Sequence, residues 1–218
     1  MRRVVRPEIL DSNHCDPRDV ADSLVDLQRI NRWFGGISTT AGMIDTVVHR
    51  TAATNLQLLD IASATGDIPA ALQQRLADRG IQLSFTLLDR DASHFDGVPA
   101  PRVRADALRL PFQNDSFDLV ACSLFAHHLE ADELSVFVRE ALRVARIGLL
   151  INDLQRSYLH LLAVHAGSFL FRRITRHDSV ASVWRSYTID EMRCMLNHGS
   201  DCEIRPSYLF RYAAIVWK

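Results

Sequence analysis

An α/β fold with an open, mostly parallel sheet is what this sequence predicts, on three observations. A near-continuous apolar run at Leu56–Ile61 is as expected of a strand covered on both faces, and Ile81–Leu88, Ser116–Leu124 and Ile147–Ile151 read as further strands. Segments with helical apolar spacing separate them. The first run passes through Ala62-Ser63-Ala64-Thr65-Gly66, which has almost no side-chain bulk, into a helix start at Asp67. Open α/β sheets bind ligands at this place, outside the carboxyl end of the first strand.

The elements follow in order. Asp16-Pro17 sets an N-cap with proline at the first helical position. Val20, Leu24, Leu27, Ile30 and Phe34 continue that helix to Gly35-Gly36, and Ser38 or Thr39 caps a second helix carrying Met43, Ile44, Val47 and Val48. After the first strand, Ile68, Leu72 and Leu76 mark a helix that stops at Gly80. The second strand ends in Asp89, 23 positions after Gly66, near the roughly 20 expected of an acidic residue that bonds ribose hydroxyls. Pro101–Arg104 is a short third strand and Ser116–Leu124 a fourth, followed by Phe125-Ala126-His127-His128-Leu129. Ala131–Val144 is an amphipathic helix with acidic residues in its first turn, and Ile147–Ile151 a fifth strand running into Asn152-Asp153. Tyr158–Phe171 is very apolar and reads as a core helix or the wall of an apolar pocket. Thr188 and Glu191 form a capping box for a last helix, and Cys202–Leu209 and Tyr212–Trp217 are closing strands.

These motifs carry a resemblance. NLQLLDIASATGDIP resembles motif I of the class I S-adenosylmethionine-dependent methyltransferases, with Asp60 at the acidic position and Gly66 at the last glycine. Ala62 and Ala64 replace the first two glycines, and a tight right-handed turn would accept both. LPFQNDSFDLV resembles the approach to motif IV in the small-molecule, quinone and secondary-metabolite branch. The resemblance implies a Rossmann-like seven-stranded sheet with an antiparallel last strand, helices on both faces and an N-terminal helical lid. It places the whole of 1–218 in one domain: a lid over 1–55, a cofactor-binding core over 56–151, substrate-covering helices over 152–200 and closing strands over 201–218.

S-adenosylmethionine is the cofactor implied. Its contacts fall on Asp60, Ala62, Ser63, Ala64, Gly66, Asp89, Arg90 and Ser123, with Asp106 and Ala107 clamping the adenine edge. The implied reaction is O-methylation of a small hydroxylated aromatic, quinone-like or polyketide-derived molecule. C-methylation and a catalytically silent binding protein are the alternatives.

Phenolate formation wants a base, and histidine suits it. His128 follows the fourth strand, and His177 lies in the basic run Arg172–Tyr187, so these two are the catalytic candidates. A structural histidine and a solvated basic turn are the bland readings of the same residues. Trp33, Phe34, Asn152, Arg176 and Tyr187 are the substrate-side candidates, with Asp153 beside Asn152 by position.

Several classes are disfavoured. A net charge of −1 lacks the basic footprint of a nucleic-acid binder. Ala62–Asp67 does not supply the G-x-G-x-x-G of a nicotinamide dehydrogenase. The histidines show no metal-ligand frame, so no metal is expected. Four cysteines without C-x-x-C spacing read as free thiols in a reducing compartment. The start lacks a secretory signal and no window is apolar enough to span a membrane. A cytoplasmic monomer or homodimer is expected.

Overall fold

The computed structural model describes residues 1–11, 15–91, 99–197 and 201–218. Seven strands form one sheet in the order β3-β2-β1-β4-β5-β7-β6. They are β1 (Asn55–Ile61), β2 (Gln82–Asp89), β3 (Arg102–Arg104), β4 (Phe117–Ser123), β5 (Ala145–Leu154), β6 (Cys202–Pro206) and β7 (Arg211–Trp217). Strands β1 to β5 pair in parallel, and β7 runs antiparallel to both β5 and β6. The strand order reverses between β1 and β4, which opens a crevice at their carboxyl ends.

Alternation along the strands divides the core. Leu59, Val120, Leu149 and Ile151 face one side, with Phe137, Tyr212 and Val216. Leu58, Leu119, Leu150 and Ile215 face the other, with Met43, Ile44 and Leu72. Helices α2 (Gly36–Thr51) and α3 (Asp67–Ala77) contribute to that second side. Helix α4 (Ala131–Val144) buries Leu134, Phe137, Ala141 and Val144, one stripe at helical spacing, and a capping box of Glu130 and Glu133 starts it.

Helix α1 (Pro17–Trp33) begins at the Asp16 cap. Helix α2 starts at Gly36, directly after Gly35 at φ 87°, so no cap at Ser38 or Thr39 is needed. A Cβ on Gly35 would lie 2.5 Å from Cβ of Tyr208, so the break between the helices is tight.

One segment differs from expectation. The basic run is a helix, α6 (Arg173–Arg185), whose inner face buries Thr175, Asp178 and Ser182 beside Ile174 and Val183. A polar inner face hides helical periodicity from a hydrophobic pattern. Of the two readings of the apolar stretch from Tyr158, the core helix fails, since α5 (Tyr158–Gly167) buries only His160 and leaves Tyr158, Leu159 and Leu162 exposed, and the pocket wall holds, since Ala163, Val164, Leu170 and Phe171 line a cleft. Helix α7 (Ile189–Leu196) carries the expected capping box. No helix among the described residues is long and apolar enough to cross a membrane, and Cys122, Cys194 and Cys202 form no disulfide.

Candidate active site

A cleft of about 1060 Å³ occupies the crevice between β1 and β4. That is at the upper end of the roughly 300–1,000 Å³ of small-molecule sites, room for a cofactor and an acceptor together. One end is the turn after β1. Ala62 and Ala64 adopt left-handed φ of 53° and 43°, which corrects the expected right-handed turn. Each strained alanine costs about 1–2 kcal/mol. The turn is held by the Ser63 amide donating to Leu88 O (3.2 Å) and the Gly66 amide to Ser63 O (2.8 Å). Asp89 accepts the Ala64 amide at 3.0 Å and the Asp91 amide at 3.0 Å, so the carboxylate ending β2 also fixes the loop after β1.

Asp60, Ala62, Ser63, Ala64, Asp89 and Arg90 line this end of the cleft, with Asp106, Ala107 and Ser123 beside them. Gly66 does not line it. Its φ is +70°, and a Cβ there would meet Leu87 Cδ1 at 2.7 Å. Packing beneath the loop is by itself enough to require glycine here.

The same end gathers negative charge. Burial first, then the neighbouring Asp67 and Asp89 carboxylates, push the Asp60 pKa well up. A cationic ligand group would relieve that stress, and S-adenosylmethionine carries both a sulfonium and an ammonium. The residues present therefore fit this cofactor.

The opposite wall holds the histidines. Ala126–His128 is a 3₁₀ turn after β4. His127 is buried, its amide donates to Asp153 Oδ2 (3.0 Å), and its Nδ1 lies 2.7 Å from Asp153 Oδ1. His128 Nδ1 lies 3.2 Å from Asp11. Glu8 lies 3.4 Å from His127 Nε2 and 3.7 Å from His128 Nε2. Burial pulls the His127 pKa down, but the charge and hydrogen bonds of Asp153 and Glu8 outweigh it and raise it to about 10.

Glu8 and Asp11 belong to an irregular N-terminal segment, residues 1–11, which no sequence pattern marked as part of the site. It is strapped to α6 by Asp178, which accepts the amides of Ile9 (2.8 Å) and Leu10 (2.9 Å), and by Ser182, which donates to Glu8 (2.8 Å). Arg3 anchors its start on Glu130 (2.8 Å) and on the ring of Tyr187 (4.4 Å to the centroid). A charged coil without periodicity carries no signal of its destination.

The other candidates divide. His128 and Phe34 line the cleft, whereas His177, Arg176, Trp33, Asn152 and Tyr187 do not. His177 is half exposed and pairs with Asp178 at 2.8 Å, on the outer side of α6. Arg176 bonds Ser168 O (3.2 Å) on the surface. Trp33 is 58% exposed. Tyr187 is buried and donates to Leu129 O (2.8 Å), a packing role. Asn152 donates to Gly36 O (2.8 Å) and Thr40 Oγ1 (3.0 Å) and accepts from Arg211 (3.1 Å), tying the start of α2 to β5.

This strand order, with a small-residue turn after β1 and an acidic end to β2 at the switch point, defines the class I, Rossmann-like methyltransferase fold. Residues 59–151 match the family described as "Methyltransferase domain". Residues 59–151 are thus similar to a methyltransferase domain, and the sheet that contains them has the fold of the S-adenosylmethionine-dependent kind. A demethylmenaquinone methyltransferase of Roseiflexus castenholzii is 31% identical over 93 residues, covering 41% of this chain and 38% of that protein. A ubiquinone/menaquinone biosynthesis C-methyltransferase, UbiE, of Nitrosospira multiformis is 29% identical over 101 residues, covering 44% and 41%. The matches take in about two fifths of each relative's length. Among solved structures, the plantazolicin methyltransferase BpumL in complex with SAH superposes with a TM-score of 0.73 at 11% identity, over 96% of this chain and 92% of that one.

Proposed function

We propose that this protein transfers a methyl group from S-adenosylmethionine to an oxygen of a small hydroxylated aromatic, quinone-like or polyketide-derived molecule. The carrying observation is the histidine–carboxylate cluster facing the cofactor end across one cleft. The cofactor, when bound, supplies an activated methyl on a sulfonium. The chain then has to align an oxygen with that methyl and exclude water. The carboxylate of Asp89 and the backbone at 62–64 hold the cofactor's sugar and tail. Leu27, Ile30, Phe34, Leu170 and Phe171 provide an apolar wall for an aromatic acceptor. His128, rather than His177, is the histidine positioned to activate the acceptor hydroxyl, with Glu8, Asp11 and His127 around it.

The same reading makes the protein a monomer or homodimer acting in the cytoplasm, in quinone or secondary metabolism, on a small molecule and not a nucleic acid. The names of the two relatives support the quinone-like class. One of those names also favours the second reading, methylation at carbon.

The test is transfer of labelled methyl from S-adenosylmethionine to a panel of phenols and hydroxyquinones, with products assigned by carbon NMR. A methyl ether is expected, and His128→Ala should lower turnover about 10²–10⁴-fold with cofactor affinity kept. A carbon-bound methyl would overturn the O-methyl reading. Cofactor binding without transfer to any acceptor would overturn the enzymatic one.

A further inference from the structure

We propose that Glu8, His127 and His128 form a binding site for one divalent transition-metal ion, zinc by preference, on the wall of the cleft. One donor atom from each residue lies within 4.8 Å of the other two. His127 Nε2 lies 3.4 Å from Glu8 Oε1 and His128 Nε2 lies 3.7 Å from Glu8 Oε2, so each histidine already stands near the donor spacing of a tetrahedral site from one oxygen of the same carboxylate. With bonds of about 2.0–2.2 Å to nitrogen and oxygen, that spacing is about 3.4 Å.

Both rings are held in the same way. Asp153 takes Nδ1 of His127 at 2.7 Å, and Asp11 takes Nδ1 of His128 at 3.2 Å. A carboxylate on the far nitrogen is the arrangement that fixes a metal-binding histidine's tautomer and raises its basicity. Ser182 donates to Glu8 at 2.8 Å, so the third ligand is oriented as well.

An independent observation points into the site. His127 is 2% exposed, and its Nε2 makes no hydrogen bond. That nitrogen faces the Glu8 carboxylate 3.4 Å away, and a cation belongs between them: a proton when the site is empty, the metal ion when it is filled. Two imidazoles and one carboxylate suit Zn²⁺, or Fe²⁺, and not Mg²⁺ or Ca²⁺, which take oxygen ligands.

Three protein ligands leave one position open, and all three residues line the cleft. That position would take water, or the hydroxyl oxygen of the acceptor, which the ion would then activate in place of His128 acting as a free base. This last role rests on the function proposed above, whereas the site itself does not. The ion would also pin the N-terminal segment to the turn after β4, because Glu8 is the only ligand from that segment among the described residues.

The experiment uses the full, untagged chain, stripped with EDTA and titrated separately with Zn²⁺, Co²⁺ and Mg²⁺ by calorimetry, without cofactor or acceptor. One Zn²⁺ per chain at micromolar Kd or tighter is expected, with a visible Co²⁺ spectrum of low coordination number and no heat from Mg²⁺. Glu8→Gln should weaken Zn²⁺ at least 100-fold, and Asp11→Asn about 10–100-fold through His128. His49→Ala, on the exposed end of α2, should leave it unchanged. Circular dichroism checks that each variant folds. Should Zn²⁺ fail to bind, or bind equally well to Glu8→Gln, the site does not exist. A protein that binds zinc but methylates nothing would refute only the proposed function. One that methylates after EDTA treatment and takes up no zinc would refute only the metal.

Discussion

Replacing Gly66 tests whether the turn after β1 is shaped by packing or by a ligand. Gly66 sits at φ +70°, with Leu87 beneath it. In Gly66→Ala, the left-handed backbone costs about 1–2 kcal/mol. The lower entropy of the unfolded alanine chain offsets about 0.4–1 kcal/mol of that. The new methyl would also stand 2.7 Å and 3.0 Å from the two Leu87 methyls. Leu87 is fully buried between β1 and β3, so it has little room to swing. Overpacking of this kind costs about 1–3 kcal/mol. The expected loss is about 2–4 kcal/mol in urea or guanidinium unfolding, a large part of a usual 5–15 kcal/mol. Leu87→Ala should lose about 2–5 kcal/mol alone through its cavity. The double variant should lose less than the two single losses combined, by about 1–2 kcal/mol, because the methyl of Ala fills part of that cavity. If Gly66→Ala unfolds at the wild-type midpoint and loses only cofactor affinity, the packing account is wrong and a ligand lies on the glycine.

Asp89→Asn keeps the shape of the side chain but removes its charge, and should weaken S-adenosylmethionine at least tenfold in calorimetry; equal affinity would remove Asp89 from the cofactor site. His160 is stacked on Phe210 (4.7 Å), and burial lowers its pKa to about 4. Its unfolded form takes a proton below about 6.5 while the folded form stays neutral, so stability should fall as pH drops from about 6.5 to 4, by up to about 3 kcal/mol. His160→Phe should flatten that limb of the pH–Tm curve, and a limb unchanged in the variant would assign it elsewhere. Asn152→Ala strands the buried Arg211 Nη1 donor and loses the bonds to Gly36 and Thr40, so it should cost about 2–4 kcal/mol. A loss under about 0.5 kcal/mol would mean the tie between β5 and α2 is not needed.

Where burial and periodicity coincide, the fold was readable. Strands β1, β2, β4 and β5 are apolar runs because both faces are covered, and α4 shows its stripe because one face meets the apolar surface of the sheet and α7. Helix α6 fails that test for a physical reason. Its inner face meets the backbone amides and carboxylate of a coil, so it buries Asp178 and Ser182 where a sheet-packed helix would bury leucines. The same coil explains why Glu8 and Asp11 were invisible. Their place in the site is decided by where residues 1–11 cross the molecule, which is a property of tertiary contacts.

The adjacent pair Asn152-Asp153 shows how much more strand parity could have yielded. Side chains alternate across a strand. Leu149 and Ile151 belong to the side of the sheet that holds Ala126 and Leu129, which flank the two histidines, and Leu150 belongs to the side that holds Met43 and Ile44 of α2. Position 153 shares the parity of 149 and 151, and position 152 that of 150. So the carboxylate had to fall beside the histidine turn and the amide beside the N-terminal helices, as the bonds to His127 and Gly36 show. Position at the strand end offered both residues as candidates, and neither lines the cleft itself. The strand register places both residues at the carboxyl edge of the sheet, and it is the odd–even alternation that sends one to His127 and the other to the start of α2.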